Sequence, residues 1–177
     1  MDIEVNKKTL MIISFAVLVI LIGTSVYIIS DSHSNKTPEN LDIAQVRDFL
    51  GNNWTLISTS NETIGRNSTL SNMSIYNQSI ELFKDGNKSI GSLMTLFLNS
   101  SSALLYWNNF VNHTGLGAPV YAISGGRFAF MNTSSGNFQS SYLIGIKGST
   151  VGVIYSNTFA LSLQQAKGLM GDLLSDM

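Results

Sequence analysis

Between Lys8 and Asp31 the chain reads TLMIISFAVLVILIGTSVYIIS, 22 residues without a charge. The 20 residues from Leu10 to Ile29 would span roughly 30 Å as a helix, the thickness of a bilayer's hydrocarbon core. Inside lipid every backbone amide must find a partner within its own segment, so such a run is restricted to a helix. Tyr27 stands where an interfacial aromatic would stand, and Lys7 and Lys8 precede the run. That placement favours an N-terminus inside and the remaining chain outside. The expected organisation is a cytoplasmic segment over 1–8, a transmembrane anchor over 9–30, a polar tether over 31–37 and an extracytoplasmic domain over 38–177. The lipid bilayer is therefore the first expected partner. A cleaved signal peptide is the shorter alternative, with Gly23-Thr24-Ser25 as a small-residue site.

Everything after the run is rich in one tripeptide. Asn-x-Ser/Thr, with no proline in the middle, occurs at Asn35, Asn53, Asn61, Asn67, Asn72, Asn77, Asn87, Asn99, Asn112 and Asn132. Residues 31–177 hold 16 Asn and 32 Ser or Thr among 147 positions. Random placement would put a hydroxyl residue at the acceptor spacing after only about 3.5 of those asparagines. The excess argues that these are used as N-glycosylation sites, and a glycosylated Asn must face solvent. On the stretch SIYNQSIELF, strand parity puts Tyr76, Gln78, Ile80 and Leu82 on one face and Asn77, Ser79, Glu81 and Phe83 on the other. Asn77 is expected on the solvent side with Glu81.

Charged residues are only 12% of the chain, cysteine is absent and the net charge is −1. Without a basic field no nucleic-acid partner is expected. Without cysteine, thiol catalysis, iron–sulfur sites and zinc ribbons are excluded. Amides, hydroxyls and sugars hydrate a surface even in acid, where carboxylates are protonated. Few charges with dense sequons resemble the single-pass, heavily N-glycosylated cell-surface proteins of acid-dwelling archaea. The resemblance implies an address in the cell envelope and no particular activity. Lys7-Lys8-Thr9-Leu10 also resembles, loosely, the processing site of archaeal pilins, with Thr9 where Gly or Ala is expected.

The outer domain reads as α+β, an antiparallel sheet of about 6–7 strands packed by about three helices. Thr37 is the expected cap of a first helix, with Pro38 in its first position, Ile43, Val46 and Leu50 on one face and Gly51 as its end. A strand over 54–58 and a glycan-bearing loop over 59–72 follow. Strands over 74–84 and 90–98 flank Asp85-Gly86, a hairpin signal. Residues 100–113 form a helix capped by Ser100 or Ser101, with Ala103, Tyr106, Trp107 and Phe110 as its apolar stripe. Strands over 120–123, 127–131, 141–147 and 151–156 are joined by Gly-containing turns. Ser162-x-x-Gln165 opens a last helix aligned on Leu163, Ala166, Met170 and Leu173. Ala103 and Trp107 resemble the A-x-x-x-W helix of small extracytoplasmic modules in which a helix follows a hairpin and another closes the chain.

Catalytic patterns are absent from the sequence. His33 and His113 are too few for a metal site, and no metal or cofactor is expected. No nucleophile elbow, P-loop or dinucleotide fingerprint occurs. Glu62 with Glu81 could form a glycosidase-like carboxylate pair only if the fold brought them together, and Glu62 sits inside a sequon. Ser124-Gly125-Gly126-Arg127 reads as a hairpin turn with an exposed Arg, or as an anion-binding nest. Trp54, Tyr106 and Trp107 read as core, or as a sugar platform. The last 45 residues carry no sequon, so that side is expected to dock on a membrane or surface-layer protein partner. The functional expectation is a membrane-anchored, glycosylated, non-enzymatic interaction or accessory domain of the cell envelope. The alternatives are a pilin-like subunit and an extracellular solute- or sugar-binding module.

Overall fold

The computed structural model describes residues 39–63, 74–113, 118–135 and 138–175. The apolar run, the tether, Thr37, Pro38, His33, Asn35, Asn67 and Asn72 lie outside these residues. Among the described residues no helix is long and apolar enough to cross a membrane. The elements are α1 (Ile43–Leu50), β1 (Thr55–Thr63), β2 (Ile75–Asp85), β3 (Lys88–Phe97), α2 (Ser100–His113), β4 (Val120–Ile123), β5 (Gly126–Ser135), β6 (Phe138–Lys147), β7 (Thr150–Asn157) and α3 (Leu163–Leu173). The expected order holds: seven antiparallel strands and three helices, an α+β domain.

The sheet order is β1-β2-β3-β7-β6-β5-β4. Two meanders, β1–β3 and β4–β7, meet where β3 pairs with β7. Helix α2 carries the chain between them, lying across β3, β7 and β6 on one face. On the opposite face α3 lies across β5, β6 and β7 and packs against α1. Both faces of the central strands are therefore covered, which is why β7 reads as a nearly continuous apolar run. Alternate residues divide between the two cores. Phe128, Phe130, Leu143, Ile154 and Met94 meet α1 and α3, whereas Ala129, Ile144, Ile146, Val151, Val153 and Leu93 meet Ala103 and Trp107 of α2.

Helices α1 and α3 start by the same device. Asp42 and Ser162 are N-caps closed by Gln45 and Gln165 as capping boxes. Before each cap stands a buried leucine, Leu41 or Leu161, and at the fourth helical position a buried Val46 or Ala166. These pairs belong to one core cluster and have the spacing of a hydrophobic staple. The cap of the first helix, Asp42, thus lies five residues beyond the predicted cap at Thr37. Asn40 holds the chain extended there, its Nδ2 donating to the Ser79 carbonyl at 3.0 Å and its Oδ1 accepting from Ser92 Oγ at 2.7 Å. The last helix buries Ala166, Leu169, Met170 and Leu173, while Leu163, expected on that face, is exposed.

Strand β1 also corrects the sequence reading. It runs to Thr63 and pairs with β2 through Thr59↔Glu81 and Asn61↔Ser79, so the expected loop begins later than residue 59. Residues 55–61 are exposed: β1 packs chiefly against its neighbour β2, and a strand whose faces no helix covers needs no apolar alternation.

The docking of α3 depends on a glycine pair. Gly145 of β6 lies opposite Gly152 of β7. A Cβ on Gly145 would lie 2.5 Å from Met170 Sδ, and one on Gly152 would lie 2.7 Å from Leu173 Cδ2. The helix rests on bare backbone. Replacing Gly152 by Val is expected to destabilise the domain by roughly 1–3 kcal/mol through overpacking. A thermal melt monitored by circular dichroism would show this, and an unchanged midpoint would refute so close a contact.

Candidate functional site

Six of the seven described sequon asparagines, Asn53, Asn61, Asn87, Asn99, Asn112 and Asn132, are exposed. Asn77 is the exception, at 2% exposure, so the expected solvent position of this residue is corrected. The alternation on β2 is as predicted, but the assignment of faces was reversed. Phe83 is buried against α1 and α3, and parity carries Asn77 and Ser79 inward with it. Among the described residues Asn77 Oδ1 is sealed from solvent without a hydrogen-bond partner. In the folded domain it has no room for a sugar.

Two of the exposed asparagines also have structural roles. Asn99 caps α2, its Oδ1 accepting from the Ser102 amide at 2.9 Å, in place of the expected Ser100 or Ser101. Asn132 donates to the Leu161 carbonyl at 2.9 Å and accepts from Ser141 Oγ at 2.5 Å. Ser141 Oγ in turn accepts from the Leu161 amide, so this network clasps the segment entering α3 onto β5 and β6.

Glu62 and Glu81 do not meet. Thr59 lies opposite Glu81 and Glu62 opposite Gln78, an odd offset that sends the two carboxylates to opposite faces. Glu81 lies across from Ser92, whose hydroxyl is held by Asn40. Its Oε2 is buried without a hydrogen-bond partner among the described residues. Burial, with the nearby Asp42 carboxylate second, raises its pKa to about 7. Among the described residues no group of three or more His, Cys, Asp or Glu is placed to hold a metal ion.

Opposite this polar cluster, on the α2 side, a shallow groove of about 580 Å³ opens at one end of the sheet. Its walls are the first turn of α2 (Ser100, Ser101, Leu104), the β4–β5 turn with Arg127, and the end of β6 with Ile146 and Lys147. Gly125, with φ of 73°, and Gly148, with φ of 56°, make the turns by adopting a backbone region that side chains disfavour. The Arg127 guanidinium stacks 4.4 Å from the Trp107 ring centroid. Lys147 Nζ donates to the Leu174 carbonyl at 3.0 Å, at the C-terminal end of α3, where a cation is favoured. Among the described residues Arg127 and Lys147 line the groove and no acid does. Ser124-Gly125-Gly126-Arg127 is thus a hairpin turn, and its Arg is pinned on an aromatic face. Trp54 and Trp107 are core residues. The groove was hidden in the sequence because its walls come from three separate segments; the Gly-Gly-Arg turn was the one visible signal.

The fold is similar to that of the extracellular domain of PknH from Mycobacterium tuberculosis. The TM-score is 0.55 and the identity 7%, over 77% of this chain and 91% of that one. An uncharacterized protein from Mycobacterium smegmatis overlaps more loosely, with a TM-score of 0.37 and 7% identity over 75% of this chain and 93% of that one. No family model and no curated protein matches the sequence.

The raised pKa of Glu81 has a consequence for stability. The folded chain holds this proton more tightly than the unfolded chain, whose carboxyl titrates near 4.5. The contribution is fully present below that pH and is lost as pH rises through about 7. Melting temperature is expected to fall over this window in the wild type and to fall less in Glu81→Gln. Parallel pH profiles for the two proteins would reject the assignment.

Proposed function

We propose that this chain is a membrane-anchored, N-glycosylated, non-enzymatic interaction or accessory domain on the outer side of a cell envelope. The observation that carries the reading is the exposure of six of the seven described sequon asparagines, all beyond a 20-residue apolar run from Leu10 to Ile29. A chain with so few charges needs another source of surface hydration, and sugars on these sites would provide it. The likeness to a domain described as extracellular agrees with this placement. The partner in this reading is a protein of the membrane or surface layer, met by a side of the domain that sugars leave bare.

Peptide mapping of the protein from its native membrane tests the proposal. Sugar is expected on Asn53, Asn61, Asn87 and Asn112, and Asn77 is expected bare. The same spectra read the N-terminus. Retention of residues before Leu10 fits an anchor, a start at Leu10 marks a pilin-like subunit, and a start near Ser25 marks a secreted protein. A sugar-free chain recovered from cytosol would refute the proposal.

A further inference from the structure

The groove and the cap of α2 lie next to each other in the chain. Asn99 uses its Oδ1 on the Ser102 amide, whereas its Nδ2, the atom that would carry a sugar, makes no hydrogen bond among the described residues. The cap and an N-linked sugar therefore use different atoms and can coexist. The two residues that complete the sequon, Ser100 and Ser101, both line the groove. Around this point the surface is unusually apolar: Leu98 is 65% exposed, Leu105 63% and Leu104 40%.

We propose that the first sugars of an N-glycan on Asn99 fold back into this groove and complete the surface there. The proposal rests on the glycosylated-domain reading above. A pyranose ring has an apolar C–H face and a rim of hydroxyls. Leu104, Ile123 and Ile146 offer apolar contact to the first, and Arg127 and the two serines offer hydrogen bonds to the second, while the Lys147 ammonium stays on the carbonyls at the end of α3. Among the described residues Arg127 has no carboxylate partner, so its guanidinium edge is open to sugar oxygens while Trp107 holds its plane. Among the described residues no acid lines the groove, so a sugar carrying its own carboxylate is also accommodated. A volume of about 580 Å³ lies within the range of sites that enclose small ligands.

The test uses the full glycosylated chain and two variants that remove this sugar by different routes. Ser101→Ala breaks the sequon and keeps the Asn99 cap. Asn99→Asp keeps a capping carboxylate and leaves both serines. Thr114→Ala, which removes the sugar of Asn112, is the control. Wild-type protein is expected to show nuclear Overhauser contacts between the Asn99 sugar and the methyl groups of Leu104, Ile123 or Ile146. Both variants should lose one glycan mass and melt roughly 2–4 °C lower, with amide exchange over 124–127 and 146–149 about tenfold faster. The control should change neither exchange nor melting. An occupied Asn99 without methyl contacts, or with exchange unchanged on its removal, overturns the proposal. If the unglycosylated variants keep this protection and are dimeric, a second copy occupies the groove and the proposal is wrong. Sugar at other sequons with Asn99 bare also overturns it and leaves the proposed function standing. Absence of sugar everywhere removes both.

Discussion

Burial of the central strands on both faces is the constraint from which the rest of this domain follows. Strands β3, β7 and β6 lie between α2 on one side and α1 with α3 on the other. The side chains buried there must therefore be apolar, small, or hydrogen-bonded. Apolar residues fill most positions, and Gly145 and Gly152 fill those where α3 comes closest. At β3, Gly91 lies opposite Tyr155, and a Cβ on it would lie 2.3 Å from that ring. The sheet thus gives up side-chain volume where helix or ring fills it, which keeps the interior dense.

The polar positions on the same sheet obey the third condition unevenly. Ser92 is satisfied by Asn40, the Ser141 hydroxyl by Asn132 and Leu161, and the Ser156 hydroxyl by the Ser141 amide and the Phe159 carbonyl. These bonds do structural work: one holds the chain extended into α1 and the other clasps the entry to α3. Asn77 and Glu81 keep buried oxygens without partners among the described residues. For Glu81 the cost falls if the carboxyl is protonated, which is the physical content of its raised pKa. The domain carries this acid where acidity would favour folding, in keeping with a surface that depends little on charge.

Charged residues are only 12% of the chain, and sugars would add to the hydration of its surface. Exposed sequon asparagines occur at the β2–β3 turn, on β1, at both ends of α2, before β1 and on β5. Two of them also hold backbone or side-chain groups in place. Asn99 shows how these roles are compatible: capping takes the carbonyl oxygen, and glycosylation would take the nitrogen.

Local signals in the sequence were enough for element order, the hairpins at Asp85-Gly86 and Gly125-Gly126, the stripe of α2 and the capping box at Ser162. Each depends on residues within one or two turns of one another, so the neighbouring side chains decide it. The sequence also determined where the sequons fall and that the chain lacks cysteine and a basic field. Tertiary structure alone decided which face of β2 is buried, because parity defines two faces and only the packing partner of Phe83 chooses between them. It alone set the start of α1, through Asn40 bonded to strands about 40 and 50 residues away. It separated Glu62 from Glu81 and assembled the groove from α2 and two distant turns. These features depend on contacts between segments far apart in the chain, and such contacts leave no periodic trace in it.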